Sequence, residues 1–318
     1  MTSKLKILTG SQKYPLFDKI KARLSDAYLL VKTDRFSNEN IKVKIEESVR
    51  GADAFIIQPC YPNHDERLIE LFIIIDALKH ASAGRITTIL PYFPYARSDK
   101  KDEPRISITA RLMAELLRAA GTDRVLTMQL HSPQTHGFFN YPLDHLLPKN
   151  IICDYFRTHK FLGRQSQFVI VAPDAGSAKN AGKYATSLGL PLAVIDKRRI
   201  DDSESPIIAG VLGDVKEKHC FLFDDEIASG GSIFKSTTKL LELGAKTVEA
   251  FAVHGVLTDN AVDKIMKSDI SRVYITDTIW RPEYDDCEKL KIISVADMFV
   301  QSILCIHDNK SITQVFEK

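Results

Sequence analysis

Cys220-Phe-Leu-Phe-Asp224-Asp225-Glu226-Ile227-Ala228-Ser229-Gly230-Gly231-Ser232, followed by the helical run that begins at Ile233, is the stretch that decides the fold. An apolar run of strand length ends in two adjacent carboxylates, and a Ser-Gly-Gly-Ser turn then opens a helix. Glycines let a backbone approach a ligand closely, and the unpaired N–H groups of a helix start attract an anion. Ser229 and Ser232 would add hydroxyl donors for phosphate oxygens, and Asp224 and Asp225 can accept hydrogen bonds from hydroxyls such as those of a sugar. An acidic turn with a serine helix cap is the bland alternative. Against it, paired carboxylates at the carboxyl end of an apolar strand serve no packing purpose, and such strand ends are where α/β sheets bind ligands.

Outward from this loop, short β-branched runs alternate with segments of helical period, the mark of an α/β protein. Strands are expected at residues 5–8, 27–32, 43–45, 54–58, 86–91 and 125–129, then at 168–172, 192–195, 220–223, 248–253, 272–276 and 292–294. Helices are expected at 16–24, 68–80 and 108–120, then at 178–188, 233–243, 261–267 and 296–307. Gly121, Gly189 and Gly244 follow helical runs as stops. Two prolines interrupt the pattern at 141–149, which sets the expected domains at 1–147 and 148–318.

Composition narrows the class. The 318 residues carry 43 basic against 41 acidic side chains, a net charge of +2, which argues against nucleic-acid binding through positive field alone. With 44% hydrophobic and 26% charged residues, the chain is ordinary globular protein. Its longest apolar stretch, around Leu71 to Ile75, is far below the roughly 20 residues of a bilayer span, and no signal-peptide pattern opens the sequence, so no membrane association is expected. Cys60, Cys153, Cys220, Cys287 and Cys305 form no CxxC pair, which fits free thiols in a reducing, cytoplasmic setting.

The Asp224–Ser232 segment resembles the ribose-phosphate loop of ribose-phosphate pyrophosphokinases and of the related phosphoribosyltransferases. Six further stretches, in the order found in the pyrophosphokinases, carry the resemblance across nearly the whole chain. They are Arg35-Phe36-Ser37, Glu46-Glu47-Ser48-Val49-Arg50-Gly51, Pro91-Tyr92-Phe93-Pro94-Tyr95-Ala96-Arg97, Leu130-His131-Ser132-Pro133-Gln134 with Gly137-Phe138-Phe139, Pro173-Asp174-Ala175-Gly176, and Asp196-Lys197-Arg198-Arg199. The resemblance implies two tandem phosphoribosyltransferase-type, Rossmann-like α/β domains with mainly parallel sheets. It implies transfer of the β,γ-diphosphoryl group of ATP to the C1 hydroxyl of ribose 5-phosphate, with Mg²⁺, giving phosphoribosyl pyrophosphate (PRPP) and AMP.

Site residues follow by position. Lys197 and Arg199 match the family's catalytic pair; read in isolation, they would be a solvated basic turn. Asp224, Asp225, Ala228, Ser229, Gly230, Gly231 and Ser232 match the ribose 5-phosphate loop. Phe36, Asn38, Glu39, Asn40, Arg97 and Ser98 match the ATP contacts, with residues 35–40 serving a neighbouring subunit's site between the domains. His131 and Asp174 match the metal site, although a strand-end histidine on its own reads as structural and imidazole is an unusual Mg²⁺ ligand. Residues 98–105, with mixed charge and a proline, read as a mobile loop. The resemblance also implies a homo-oligomer, a hexamer built from dimers, and a last helix that returns to the first domain.

Several site positions depart from the family pattern. Asp-Leu-His reads Gln129-Leu130-His131; Phe-Ser-Asp-Gly-Glu reads Phe36-Ser37-Asn38-Glu39-Asn40; Arg-Gln reads Arg97-Ser98; and the acidic loop position is Ala228. Two other readings therefore stand beside the active enzyme. One is an impaired homologue that regulates an active synthase. The other is a phosphoribosyltransferase acting on PRPP and a base, which leaves the Lys197–Arg199 stretch unexplained.

Overall fold

The structure, a computed structural model, describes residues 3–12, 14–161, 163–198 and 207–316. In chain order it opens with β1 (Leu5–Leu8), α1 (Pro15–Arg23), β2 (Val31–Arg35), β3 (Ile41–Ile45), β4 (Asp53–Ile57), α2 (His64–His80), β5 (Arg85–Leu90), α3 (Thr109–Ala120), β6 (Arg124–Met128) and β7 (Leu143–Leu146). Five of these strands form a parallel sheet in the order β1-β4-β5-β6-β7. β4 is buried along its whole length, as expected of a parallel strand covered on both faces. Ile56, Leu71, Ile74, Ile75, Leu78 and Leu117 build the core between sheet and helices. β2 and β3 stand apart as a two-stranded antiparallel hairpin.

The chain continues with α4 (Lys149–Phe156), β8 (Phe168–Ala172), α5 (Ala178–Leu188), β9 (Leu192–Arg198), β10 (Ile207–Leu212), β11 (His219–Ile227), α6 (Gly231–Glu242), β12 (Thr247–Gly255), α7 (Ala261–Lys267), β13 (Arg272–Thr276) and β14 (Leu290–Ile293). These strands make a seven-stranded sheet ordered β10-β9-β8-β11-β12-β13-β14, parallel except for the edge strand β10. Aromatic side chains fill its core: Phe156 meets Phe221 edge-on at 4.7 Å and Tyr274 at 4.9 Å, the T-shaped arrangement ring quadrupoles favour. Helices α8 (Ala296–His307) and α9 (Thr313–Phe316) close the chain.

Two compact units result. One holds residues 1–148, 277–280 and 294–318, the other 149–276 and 281–293. The division after residue 148 lies one residue from the expected boundary, and segments 277–280 and 294–318 group with the first unit, the side to which the resemblance has the last helix return. α8 carries Met298, Phe299, Ile303 and Ile306 buried, and it packs in the first unit against α1. Buried Asp277 fastens that return. It accepts from Val295 N at 2.8 Å and Ser294 Oγ at 2.6 Å, and pairs with Lys19 at 2.8 Å.

Other expectations shift locally. The strand expected at 27–32 begins only at Val31, because Ser25–Ala27 turn as a short 3₁₀ segment. Residues 141–149, read as a join, contain β7, which pairs in parallel with β6 from Val125↔Leu143 to Met128↔Leu146. The strand expected at 220–223 runs on to Ile227, because its partner β12 is equally long and pairs Asp224 with Ala252 and Glu226 with His254. Asp224 and Asp225 thus lie within a strand, and the loop proper begins at Ala228.

Candidate active site

Strand order places the site. In the second unit the chain moves outward from β8 to β9 and β10 on one side and to β11 and beyond on the other. The connections therefore part between β8 and β11, and such a switch point leaves a crevice at the carboxyl ends of the strands. Asp174 follows β8, Lys197 lies near the end of β9, and Asp224 and Asp225 lie in the last turn of β11 before the glycine loop.

The loop geometry suits an anion. Gly230 precedes the first turn of α6 with φ +75°, a conformation open to glycine at little cost, and Phe234 N donates to Gly230 O at 3.0 Å. A Cβ on Gly230 would lie 2.6 Å from the Phe234 ring, so a side chain is excluded by space as well as by φ. The first N–H groups of α6 have no intrahelical acceptors and carry the positive end of its dipole. The Lys197 ammonium donates to Ser232 Oγ, at the mouth of this loop.

Charges are crowded here. Burial pushes the Asp224 carboxyl well above the usual carboxylate range, and the adjacent Asp225 and the Asp174 charge push in the same direction. Asp225 N donates to Asp224 Oδ1 at 2.9 Å. Burial lowers the Lys197 ammonium, Asp174 and Asp224 pull it back up, and Lys235, one turn into α6, lowers it. Lys235 is the member of this group that the sequence reading missed; its only signal is its spacing of three from Ser232 on α6. Asp174 closes its own turn, accepting from Ser177 N at 2.8 Å, while Ser177 Oγ donates to Asp174 O at 2.9 Å.

Arg199, the second expected catalytic residue, lies outside the described residues. Ala228 follows β11, and its carbonyl accepts from Thr258 N at 3.2 Å. The expected ATP residues fall in the first unit. Phe36, Asn38, Glu39 and Asn40 form the tip of the β2–β3 hairpin, with Phe36 53% exposed and Lys42 lying 5.4 Å from its ring centre. Arg97 is exposed. Ser98 is tied to the start of α3: its Oγ lies 3.2 Å from both Ser107 O and Thr109 Oγ1, and Ala110 N donates to its carbonyl at 3.1 Å. His131 is exposed after β6. Among the described residues, no three His, Cys, Asp or Glu side chains are placed to hold a metal ion. The first unit also contains a polar cavity of about 680 Å³ lined by Arg85, Arg124, His136, Asp144, Lys310 and Thr313, none of them a predicted site residue.

Comparison with known proteins shows the same pattern over the full chain. Residues 5–121 match the N-terminal domain of ribose phosphate pyrophosphokinase, and residues 198–317 match the phosphoribosyl synthetase-associated domain. The ribose-phosphate pyrophosphokinase of Clostridium perfringens is 42% identical over 313 residues, covering 98% of each chain. The chain belongs to the ribose-phosphate pyrophosphokinase family. The family enzyme of Caldanaerobacter subterraneus is likewise 42% identical, over 99% of this chain and 98% of its own. Among solved structures, the phosphoribosylpyrophosphate synthetase of Mycobacterium smegmatis superposes with a TM-score of 0.86 at 38% identity, covering 96% of this chain and all of that one. No described helix is long and apolar enough to cross a membrane.

Proposed function

We propose that this chain is an active ribose-phosphate diphosphokinase, moving the β,γ-diphosphoryl group of ATP onto the C1 hydroxyl of ribose 5-phosphate to yield PRPP and AMP. One observation carries the reading: a lysine, a glycine loop at a helix start and three carboxylates meet at the switch point of the second unit. This is the equipment needed to hold a sugar phosphate and stabilise charge on a second phosphorylated substrate.

In this reading the 5-phosphate sits on the loop from Ala228 to Ser232, against the N–H groups of α6. Asp224 and Asp225 accept from the ribose hydroxyls and orient C1. Lys197, with Arg199, neutralises charge on the transferring phosphoryl oxygens. Phe36, Asn38, Glu39 and Asn40 on the exposed hairpin serve a neighbouring copy's ATP, together with Arg97 and Ser98 of that copy, which makes a homo-oligomer part of the proposal, a hexamer built from three dimers. Mg²⁺ suits the crowded carboxylates around Asp174, whose mutual repulsion a hard divalent cation relieves; Asp174 and His131 are its proposed protein ligands, and when bound it offsets triphosphate charge.

The deciding experiment measures AMP formation from ATP and ribose 5-phosphate with Mg²⁺, with PRPP verified as co-product. Turnover establishes the activity. Absence of turnover with any triphosphate or divalent metal, alongside clear ribose 5-phosphate binding, leaves the regulatory homologue in its place. Gly230→Ala tests the loop itself: the lost positive-φ freedom and the displaced Phe234 ring raise KM for ribose 5-phosphate by roughly tenfold or more, with a smaller change in KM for ATP. An unchanged KM for ribose 5-phosphate would remove the loop from the phosphate site.

A further inference from the structure

The first unit repeats the strand plan of the second, and its switch point is already filled. On the side of β1 away from β4 the chain returns at Tyr28 and Leu29: Ile7 and Tyr28 form a parallel bridge, and Leu29 N donates to Ile7 O at 2.9 Å. The chain therefore moves to one side of β1 first and to β4, β5 and β6 afterwards, so the connections part between β1 and β4. Between β8 and β11 in the second unit, the equivalent crevice is where the sugar-phosphate loop opens.

Three elements converge on the β1–β4 crevice: the loop Thr9-Gly10-Ser11-Gln12 after β1, Gln58 after β4, and Arg67 and Glu70 from α2. The Glu70 carboxylate occupies it, with Glu70 1% exposed. Ser11 N donates to its Oε1 at 2.8 Å, Gln58 Nε2 donates to Oε2 at 3.0 Å, and Arg67 Nη1 reaches Oε2 at 3.3 Å and Ser11 Oγ at 2.8 Å. Gly10 N in turn donates to Gln58 Oε1 at 3.2 Å. The carboxylate presses so closely on the loop that a Cβ on Gly10 would lie 2.6 Å from Oε2. Burial pushes the Glu70 carboxyl up, yet the Ser11 hydroxyl and N–H, the Gln58 amide and Arg67 together hold it below the usual carboxylate range.

A backbone N–H, a hydroxyl, an amide and a guanidinium aimed at two oxygens are the donor set of an oxyanion site. Among the described residues, Thr9 Oγ1 on the same loop and Arg67 Nε beside the carboxylate are buried without a hydrogen-bond partner. We propose that the β1–β4 crevice is a second oxyanion site, suited to a small carboxylate or phosphate, and that in the native chain the Glu70 side chain occupies it as a resident anion. The two units thus share one plan. The first keeps its crevice closed from within and uses it to anchor the loop after β1, and the second leaves its own open to substrate.

Glu70→Ala vacates the site and lowers the melting temperature. Formate or acetate at about 100 mM then raises that temperature by several degrees over chloride at matched ionic strength, because a ligand that binds only the native state stabilises it. The parent and the isosteric Glu70→Gln variant, both still filled, show no such formate increment. Inorganic phosphate is the third probe, read as the variant's gain beyond the parent's, since the parent carries a phosphate loop of its own. Should Glu70→Ala be unfolded at assay temperature, its refolding yield from urea in formate against chloride, and the melting of the milder Glu70→Ser variant, read the same increment. An equal response of variant and parent to formate, or none in either, overturns the proposal. The readout is stability, so the outcome stands apart from whether the enzyme turns over.

Discussion

Lys197→Ala lowers the rate of AMP formation by at least about 10³-fold while leaving ribose 5-phosphate affinity within a few-fold of the parent. The size follows from what a lone cation contributes when it meets charge developing on a transferring phosphoryl group, about 10³- to 10⁵-fold in comparable sites. The asymmetry follows from position. Lys197 sits on β9 and donates to Ser232 Oγ of the glycine loop, whereas in the proposed reading the anion is held by the N–H groups at the start of α6. Burial favours the neutral amine and outweighs Asp174 and Asp224, which favour the ammonium, so the side chain lies below the usual lysine range. Lys197→Arg restores little, because a planar fork does not replace a compact ammonium. Rate and binding separate in single-turnover and equilibrium measurements on the same preparation. A near-parental kcat in Lys197→Ala would remove the residue from the chemistry.

The parts of this protein legible in its sequence are those whose cause is local. The Ser-Gly-Gly-Ser turn announces itself because φ +75° at residue 230 calls for glycine, and the Asp pair stands out because carboxylates seldom close an apolar strand. The length of β11 was not local: it continues through Glu226 because β12 offers backbone partners that far. β7 escaped for the same reason, as Leu143-Asp-His-Leu146 between two prolines has no strand signal beyond its pairing with β6. Glu70 sits in the run Leu68-Ile-Glu70-Leu71-Phe72, where no local signal tells a buried, bonded carboxylate from an exposed one. Only the arrival of the 9–12 loop and Gln58 makes it a buried acceptor. The return of α8 to the first unit is coded by buried contacts more than 200 residues apart in the chain, such as His307 with Asp53, which no window of sequence contains.

That distant contact supports the second large effect. Asp53 opens β4 at 1% exposure and accepts two bonds from Arg85, from Nε at 2.7 Å and Nη2 at 2.5 Å, and a third from His307 Nδ1 at 2.8 Å. Arg85 then reaches on to α8 and its end, donating to Ile306 O at 2.8 Å and Asn309 Oδ1 at 3.1 Å. One buried carboxylate thus aims the guanidinium that holds the end of α8. Asp53→Ala strips the guanidinium and His307 of their acceptor, and breaking a buried pair from one side costs about 3 to 5 kcal/mol. Arg85 keeps 27% of its side chain exposed, so water recovers part of that loss and the expected cost is about 3 kcal/mol. For a unit of this size that is a fall of roughly 10 °C in the first melting transition. Because the two residues act as one clasp, Asp53→Ala with Arg85→Ala falls little further than Asp53→Ala alone, and the coupling energy is at least about 1 kcal/mol. Protection should be lost first along α8, where hydrogen exchange of residues 303–309 rises ahead of the β4 and β5 amides. Additive single effects, or a loss of less than about 2 °C, would mean that apolar packing of Phe299, Ile303 and Ile306 holds α8 without the clasp.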